Sequence, residues 1–273
     1  MSSYRLLLVA RPAPHVARIL IHRPEKRNAM DYEVRQSLID AVSDVLNDPT
    51  ARALVFGGSG GVFSAGGDVP SMIGLSELEV RARMRHIHRL CTLVAEARLP
   101  VVTAIEGVGA GAAIGLALLG DYIVAGTGSK VLFPFMKLGL TPDWGTLLTL
   151  PRRVGLANAR RMLTSGEAIQ GPEALRTGLA DEVVPDSEVM DRAEAKAAEW
   201  AALPLGAFAR MKMRVNHPSA SLAEEFEREA NDQAAWLLGA EFAEGYEAFV
   251  QKRPASFNGA QFSVSKQASR EAK

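Results

Sequence analysis

Two glycine-rich stretches hold the clearest chemical potential in this chain. Ser64-Ala65-Gly66-Gly67 follows an apolar, strand-like run at 53–56, and Gly107-Val108-Gly109-Ala110-Gly111-Ala112 follows another at 101–105. Loops free of bulky side chains let main-chain N–H groups come close to a ligand. Two such donors converging on one oxygen stabilise negative charge that develops there. The second loop feeds a helix starting near Ala112, so the positive end of its dipole would add to the same field. The plainer reading of both loops is a pair of tight turns. Gly107-x-Gly109 between a strand and a helix also hints at a dinucleotide fold, but the third glycine is misplaced and no acidic residue follows about 20 positions later at a strand end. There is no G-x-x-x-x-G-K-S/T phosphate loop and no Cys/His set with metal-ligand spacing, so no metal is expected.

The charged candidates are ambiguous from residue type alone. Asp143 follows Pro142 and precedes a helix-like run at 144–150, a place where aspartate serves as an N-cap. Asp68, next to Gly67, reads as a brace for its own loop. Lys26 and Arg27, in the run RPEKRNA at 23–29, read as solvated turn residues. His86 and His88 sit among Arg83, Arg85 and Arg89 and read as a solvated helix face. Cys91 is the one cysteine in the sequence; it lies in an apolar helical pattern and reads as a buried thiol. A single cysteine excludes an internal disulfide framework and fits a reducing cytoplasm.

Around these residues the pattern alternates strands and helices. Strands are predicted at 4–10 and 15–22. A helix follows with Val34, Leu38, Ile39, Val42, Val45 and Leu46 on one face, and Asp48-Pro49 stops it. Then come a strand at 53–56, a helix at 77–97, a strand at 101–105, a helix at 112–119, and strands at 122–124 and 131–133. From Glu188 onward the text is helical, with one amphipathic segment at 222–250 and a loosely held tail after Gly259. The pattern predicts an α/β core, divided as a core at 1–195 and a helical region at 196–273. Of the 273 residues 48% are hydrophobic and 23% charged, enough apolar content for a sizeable core. The 31 basic and 31 acidic residues cancel, which gives no electrostatic reason to expect nucleic acid or an anionic membrane as partner. The most apolar stretch, 101–125, is interrupted by Glu106 and Asp121; its uncharged span is shorter than the ~20 residues a transmembrane helix needs. No signal segment is evident, and a soluble cytoplasmic protein is expected.

Four segments, in order, resemble the crotonase (enoyl-CoA hydratase/isomerase) family: RPEKRNA at 23–29, FSAGGDV at 63–69, IEGVGAGAAIGLALLGD at 105–121 and KLGLTPDWGTLLTLPRRVG at 137–155. FVQKRPASFNG at 249–259 is similar to that family's last helix and tail. The resemblance implies a spiral of ββα turns with a C-terminal helical region for oligomerisation and active-site cover, assembled as a homotrimer or a dimer of trimers (a hexamer). It implies an acyl-CoA substrate, with coenzyme A as part of that substrate and no separate cofactor. It also implies an enolate whose oxygen is held by the N–H groups of Gly67 and Ala112, alanine standing where glycine is more usual. By family position Lys26, Arg27 and Ala29 line the nucleotide end of coenzyme A, with Ala65, Gly67, Asp68 and Val69 near the adenine and pantetheine. Gly111, Ala112 and Phe135 complete the substrate-binding set.

The sequence departs from the family's hydratase pattern at two places. Water addition relies there on two glutamates, and this chain has Gly115 and Phe135 in their positions. General acid–base groups are worth about 10²–10⁴-fold each, so a two-glutamate hydratase is not expected. Phe135-x-Lys-Leu-Gly-Leu-x-Pro-Asp-x-Gly resembles instead the ring-epoxide isomerase branch of phenylacetate degradation, which also shifts double bonds. Dienoyl-CoA isomerases likewise place an aspartate here. That resemblance makes Asp143 the acid/base of an enoyl-CoA isomerase, its pKa raised in an apolar pocket of Phe133, Phe135, Leu140 and Trp144. Two alternatives stay open. One is an acyl-CoA dehalogenase or hydrolase-type enzyme with Asp143 as nucleophile and His88 as base, although Gly67 stands where that branch carries a bulky aromatic. The other is a non-catalytic acyl-CoA binder, which needs the loops but no carboxylate. The small residues Ala112, Ala113 and Gly115 predict space beside the thioester for a bulky or cyclic acyl group.

Overall fold

The computed structural model describes residues 4–258; the tail after Gly259 lies outside the described residues. In chain order the elements are β1 (Leu7–Ala13), β2 (Val16–Ile21), α1 (Tyr32–Asn47), β3 (Ala53–Gly58), α2 (Glu77–Ala95), β4 (Val101–Ile105), β5 (Val108–Ala110), α3 (Ala112–Ala117), β6 (Tyr122–Gly126) and β7 (Lys130–Leu132). They continue with α4 (Thr146–Val154), α5 (Leu156–Ser165), β8 (Ile169–Gln170), α6 (Gly171–Thr177), β9 (Glu182–Val184), α7 (Val189–Ala201), α8 (Leu205–Asn216), α9 (Leu222–Leu237) and α10 (Ala240–Gln251). No described helix is long and apolar enough to cross a membrane.

A six-stranded sheet runs in the order β1-β2-β3-β4-β6-β9, and a three-stranded sheet in the order β5-β7-β8. The β1–β2 pair is antiparallel, with a register shift between Ala10 and Ala13; every other pair in the large sheet is parallel. Parallel strands are covered on both faces and so read as unbroken apolar runs. All six residues of β3 and all five of β4 are buried accordingly. Successive strands alternate between the sheets: β4 then β5 before α3, and β6 then β7 before α4. Ser64 bridges to Gly109 in parallel fashion, so β3, Ser64 and α2 make an earlier turn of the same kind. This is the ββα spiral that the resemblance implies.

The described chain divides into two compact units, one ending at Ala201 and one beginning at Ala202. The sequence-based boundary at 195/196 cuts α7, which belongs whole to the first unit. Val189, Ala193, Ala197 and Ala201 fall four residues apart, and all pack with Val16, Val55, Val102 and Val124 of the large sheet. Small side chains at that spacing let a helix lie close on a sheet, and burying its face ties the whole helix to the core.

The second unit holds α8, α9 and α10. The single amphipathic segment predicted at 222–250 is two helices, because Leu238 and Gly239 break it and Gly239 caps α10 in an extended conformation. Arg214 of α8 pairs with Asp232 of α9 at 2.6 Å and with Glu225 at 2.5 Å. Glu241 of α10 accepts from the free N–H groups of Gly206 and Ala207 at the start of α8, at 2.9 and 3.1 Å.

Candidate active site

The first glycine-rich loop is fixed by a residue type that sequence reasoning passed over. Asn28 is 0% exposed and sits at φ 58, in the left-handed region that asparagine tolerates better than most side chains. Its Oδ1 accepts from the Arg23 N–H at 2.9 Å, and its Nδ2 donates to the carbonyls of Ser59 and Val62 at 3.0 and 2.7 Å. Ser64 Oγ donates to the Asn28 carbonyl at 2.7 Å and accepts from the Gly66 N–H at 3.0 Å. The RPEKRNA turn is therefore a clamp on the loop that follows β3. The available signal was a polar side chain next to a turn, which is common at surfaces and did not distinguish this one.

The two loops are laced together by main-chain bonds. Ser64 N–H donates to the Val108 carbonyl at 3.1 Å, and Ala110 N–H donates to the Ser64 carbonyl at 3.0 Å. Gly66 takes φ 93, and a Cβ there would lie 2.4 Å from the Ala110 oxygen, so only glycine fits this approach. Neighbouring amides are occupied: Asp68 N–H donates to Met30, and Gly111 N–H to Leu132 at 2.9 Å. No acceptor among the described residues takes the N–H of Gly67 or of Ala112. Both residues line one cavity of about 650 Å³, within the size range of small-ligand sites. The helix after the second loop is shorter than predicted, ending at Ala117 instead of 119. Six residues carry little macrodipole, so the local N–H groups supply whatever field acts there.

Asp143 enters the same cavity from the segment before α4. It is not the cap of that helix: the N-cap is Gly145, and no side chain caps it. Asp143 Oδ1 is buried and has no hydrogen-bond partner among the described residues. Burial pushes the carboxyl above its ordinary pKa; its own main-chain N–H and the charges of Arg83, His88 and Arg35 pull in the other direction. The next residue, Trp144, is 2% exposed and held at φ 53, a strained conformation for a bulky side chain costing about 1–3 kcal/mol. That strain is compensated by packing against α3, where a Cβ on Gly115 would lie 2.4 Å from Trp144 Cβ and 3.1 Å from Thr146 Oγ1.

The family model for enoyl-CoA hydratase/isomerase matches residues 13–260. The chain belongs to that family. It is 36% identical over 248 residues to a Rhodobacter capsulatus protein named "Probable enoyl-CoA hydratase", a match covering 89% of this chain and 95% of the relative. It is 30% identical over 255 residues to the 1,2-epoxyphenylacetyl-CoA isomerase of Escherichia coli, again over 89% of this chain and 95% of the relative. The crystal structure of an enoyl-CoA hydratase from Polaromonas sp. JS666 matches with a TM-score of 0.86 at 28% identity, covering 92% of this chain and 98% of that one.

Of the residues the family resemblance singled out, Ala65, Gly67, Val69, Gly111, Ala112, Phe135 and Asp143 all line the cavity. Lys26, Arg27, Ala29 and Asp68 lie outside its lining. Lys26 and Arg27 are exposed, and the Arg27 carbonyl accepts from the Ala65 N–H at 2.9 Å, which sets their turn against the cavity wall. Asp68 faces Arg23 Nη1 at 3.0 Å and braces its loop through that ion pair. Leu140 and Trp144 line the cavity as expected of an apolar pocket; Phe133 does not, being fully buried in the core.

One expectation needs correction and one is extended. The space predicted at Gly115 does not exist, because Trp144 and Thr146 fill it, and Ala113 is fully buried outside the lining. His88 is exposed, as a solvated helix face implies, yet that face also borders the cavity. Val80, Arg83, Met84 and His88, spaced three and four apart on one face of α2, line the cavity. His86 instead stacks on Tyr32 with ring centres 4.4 Å apart. Helical spacing from Val80 could have found this face, but the charges on both sides of it hid the signal.

Proposed function

We propose that this family member is an enoyl-CoA isomerase, shifting a double bond of an acyl-CoA through a thioester enolate. Gly67 and Ala112 N–H hold the enolate oxygen, and Asp143 takes a proton from one carbon and returns it to another. Lys26, Arg27, Ala29 and Asp68 then lie toward coenzyme A, which arrives as part of the substrate. One observation carries the reading: Asp143, whose buried Oδ1 has no partner among the described residues, lines a cavity whose described lining includes no second carboxylate. One carboxylate suits a reaction in which one proton leaves and one returns. Water addition needs a second group to hold and deliver water, and the family's places for it are Gly115, under Trp144, and Phe135. The raised pKa of Asp143 makes it a stronger base than an exposed aspartate once ionised. The similarity to a 1,2-epoxyphenylacetyl-CoA isomerase supports the reading. The test is a panel of 3-enoyl-, 2-enoyl- and aromatic-CoA thioesters followed by absorbance and mass: conjugation changing at constant mass is expected, and a gain of 18 mass units, about one water, would overturn it.

One observation favours a second reading. His88 borders the same cavity as Asp143 and lies within its electrostatic reach, which supports a His88 base for an Asp143 nucleophile, as in dehalogenase or hydrolase-type chemistry. Turnover in ¹⁸O water followed by mass analysis of the Asp143 peptide separates the two, since only a hydrolysed acyl-aspartate takes up label. We also infer self-association, as a trimer or a dimer of trimers, through the second unit. Helix α9 buries none of its residues, and Leu238 and Phe249 are 90% and 81% exposed. Apolar surface of that extent marks contact sites; sedimentation as a monomer at micromolar concentration would refute it.

A further inference from the structure

We propose that Arg83 is a third, charged donor to the oxygen of the thioester enolate, receiving the negative charge as it leaves Asp143. The inference rests on the enolate reading above and adds a residue to it. Arg83 lies on the cavity face of α2, and its guanidinium has neither a hydrogen bond nor an ion pair with any described residue. Its neighbours in the lining are apolar on several sides, Val69, Met72, Val80 and Met84 among them. A half-buried cation that braces no described residue has no structural task there, yet its partial burial carries a cost; that burial holds its pKa below the ordinary arginine value. Arginine in such a place is matched to an oxygen anion that arrives with the ligand.

The position is specific to one end of the proposed reaction. A Cβ built on Gly67 would lie 3.6 Å from Arg83 Nη2, so the guanidinium stands beside the residue that offers the first oxyanion donor. No carboxylate among the described residues forms an ion pair with it; Asp68, the other acid in its field, is held by Arg23 at 3.0 Å. In the proton-abstraction step the C–H bond breaks and an O–H bond forms on Asp143. The C–H electron pair becomes the enolate double bond, and the thioester oxygen takes the charge. The charge thus moves from a carboxylate with which Arg83 makes no ion pair to an oxygen beside Gly67, the glycine that its guanidinium adjoins. An interaction that strengthens along this path lowers the barrier and not merely the binding constant.

Other groups face Asp143 but do not share this placement. Arg35, on α1, is 2% exposed and spends its donors on the Met30 carbonyl at 3.2 Å and His86 Nδ1 at 3.5 Å. His88 and Cys91, on α2, also lie within electrostatic reach of Asp143. None of these lies against Gly67 as Arg83 does.

The test measures exchange of the α-protons of a 3-enoyl-CoA and of phenylacetyl-CoA into heavy water by mass, which reads enolate formation directly. Arg83→Gln should slow exchange at saturating thioester by about 100-fold with affinity changed far less, and Arg83→Lys, which keeps the charge, should recover part of the loss. In Arg83→Gln the acid limb of the pH profile should also move to higher pH, because Asp143 loses one of the charges favouring its ionised form while His88 and Arg35 remain. A residue that only fills space would leave that limb in place. Unchanged exchange at saturation in Arg83→Gln, or a loss of affinity alone, overturns the assignment. Asp143→Asn, run in parallel, separates the two claims. Exchange lost in Asp143→Asn but kept in Arg83→Gln defeats the Arg83 assignment alone, and no exchange by the wild-type protein with either thioester defeats both.

Discussion

Gly115 stands where a hydratase of this family would carry a glutamate, and the packing above it predicts what happens when a side chain is restored. In an open helix, glycine to alanine stabilises by about 0.5–1 kcal/mol through propensity. Here the new Cβ would meet Trp144 Cβ at 2.4 Å, about 1.1 Å inside the ordinary carbon–carbon contact of roughly 3.5 Å. Trp144 Cβ cannot rotate away, since it is attached to a backbone already held at φ 53 and its ring is buried. Either α3 or the Asp143-Trp144-Gly145 turn must shift. Overpacking of this kind costs about 1–3 kcal/mol, so Gly115→Ala should melt lower than wild type by about 2–12 °C. The same shift moves Asp143, and a displacement near 1 Å costs up to about 10²-fold in rate. Gly115→Glu should be worse on both counts and should gain no water-adding activity. Thermal unfolding by circular dichroism and turnover of the best thioester check this. A Gly115→Ala protein that melts at or above wild type, or a Gly115→Glu protein that hydrates, would refute the reasoning.

Three further outcomes are expected. Asp143→Asn should stabilise the fold at neutral pH. Burial raises the folded carboxyl above the ordinary value of 3.8, so between that value and the raised one the folded state binds more protons than the unfolded one, and wild-type stability falls as pH rises through that window. The advantage of the variant in melting temperature should vanish below that ordinary value, and an advantage that persists there would refute the linkage. The rate at limiting thioester should rise with an apparent pKa above the usual aspartate range, measured from the acid limb of kcat/KM; a limb at the ordinary value would mean that a solvated group is titrating. Asn28→Ala should cost about 2–4 kcal/mol in urea unfolding, because the Arg23 N–H and the Ser59 and Val62 carbonyls lose their partner in a buried place; a cost under about 1 kcal/mol would mean that the clamp is not structural.

The parts of the molecule legible in the sequence are those where one physical requirement dominates. β3 and β4 are buried on both faces, so their apolar runs named them. The tight approach of Gly66 to Ala110 requires glycine, so the loops could be located by composition. What stayed hidden depends on tertiary partners. Polar lining and solvated face use the same residue types, so Arg83 and His88 could not be told from Arg85 and Arg89 until α2 was seen beside the cavity. Glycine at 115 marks open space only if nothing else moves in, and a tryptophan at positive φ, which no local preference predicts, does so. Asp143 looked like a cap because its neighbours are those of a cap, but Gly145 holds that place.

The catalytic constant of Asp143→Asn, measured with its affinity for the same thioester, reaches the centre of the account. Turnover should fall by about 10²–10⁴-fold while the dissociation constant stays within a few-fold of wild type, since Gly67, Ala112 and the cavity walls are untouched. An Asp143→Asn enzyme that still turns over near the wild-type rate would contradict it.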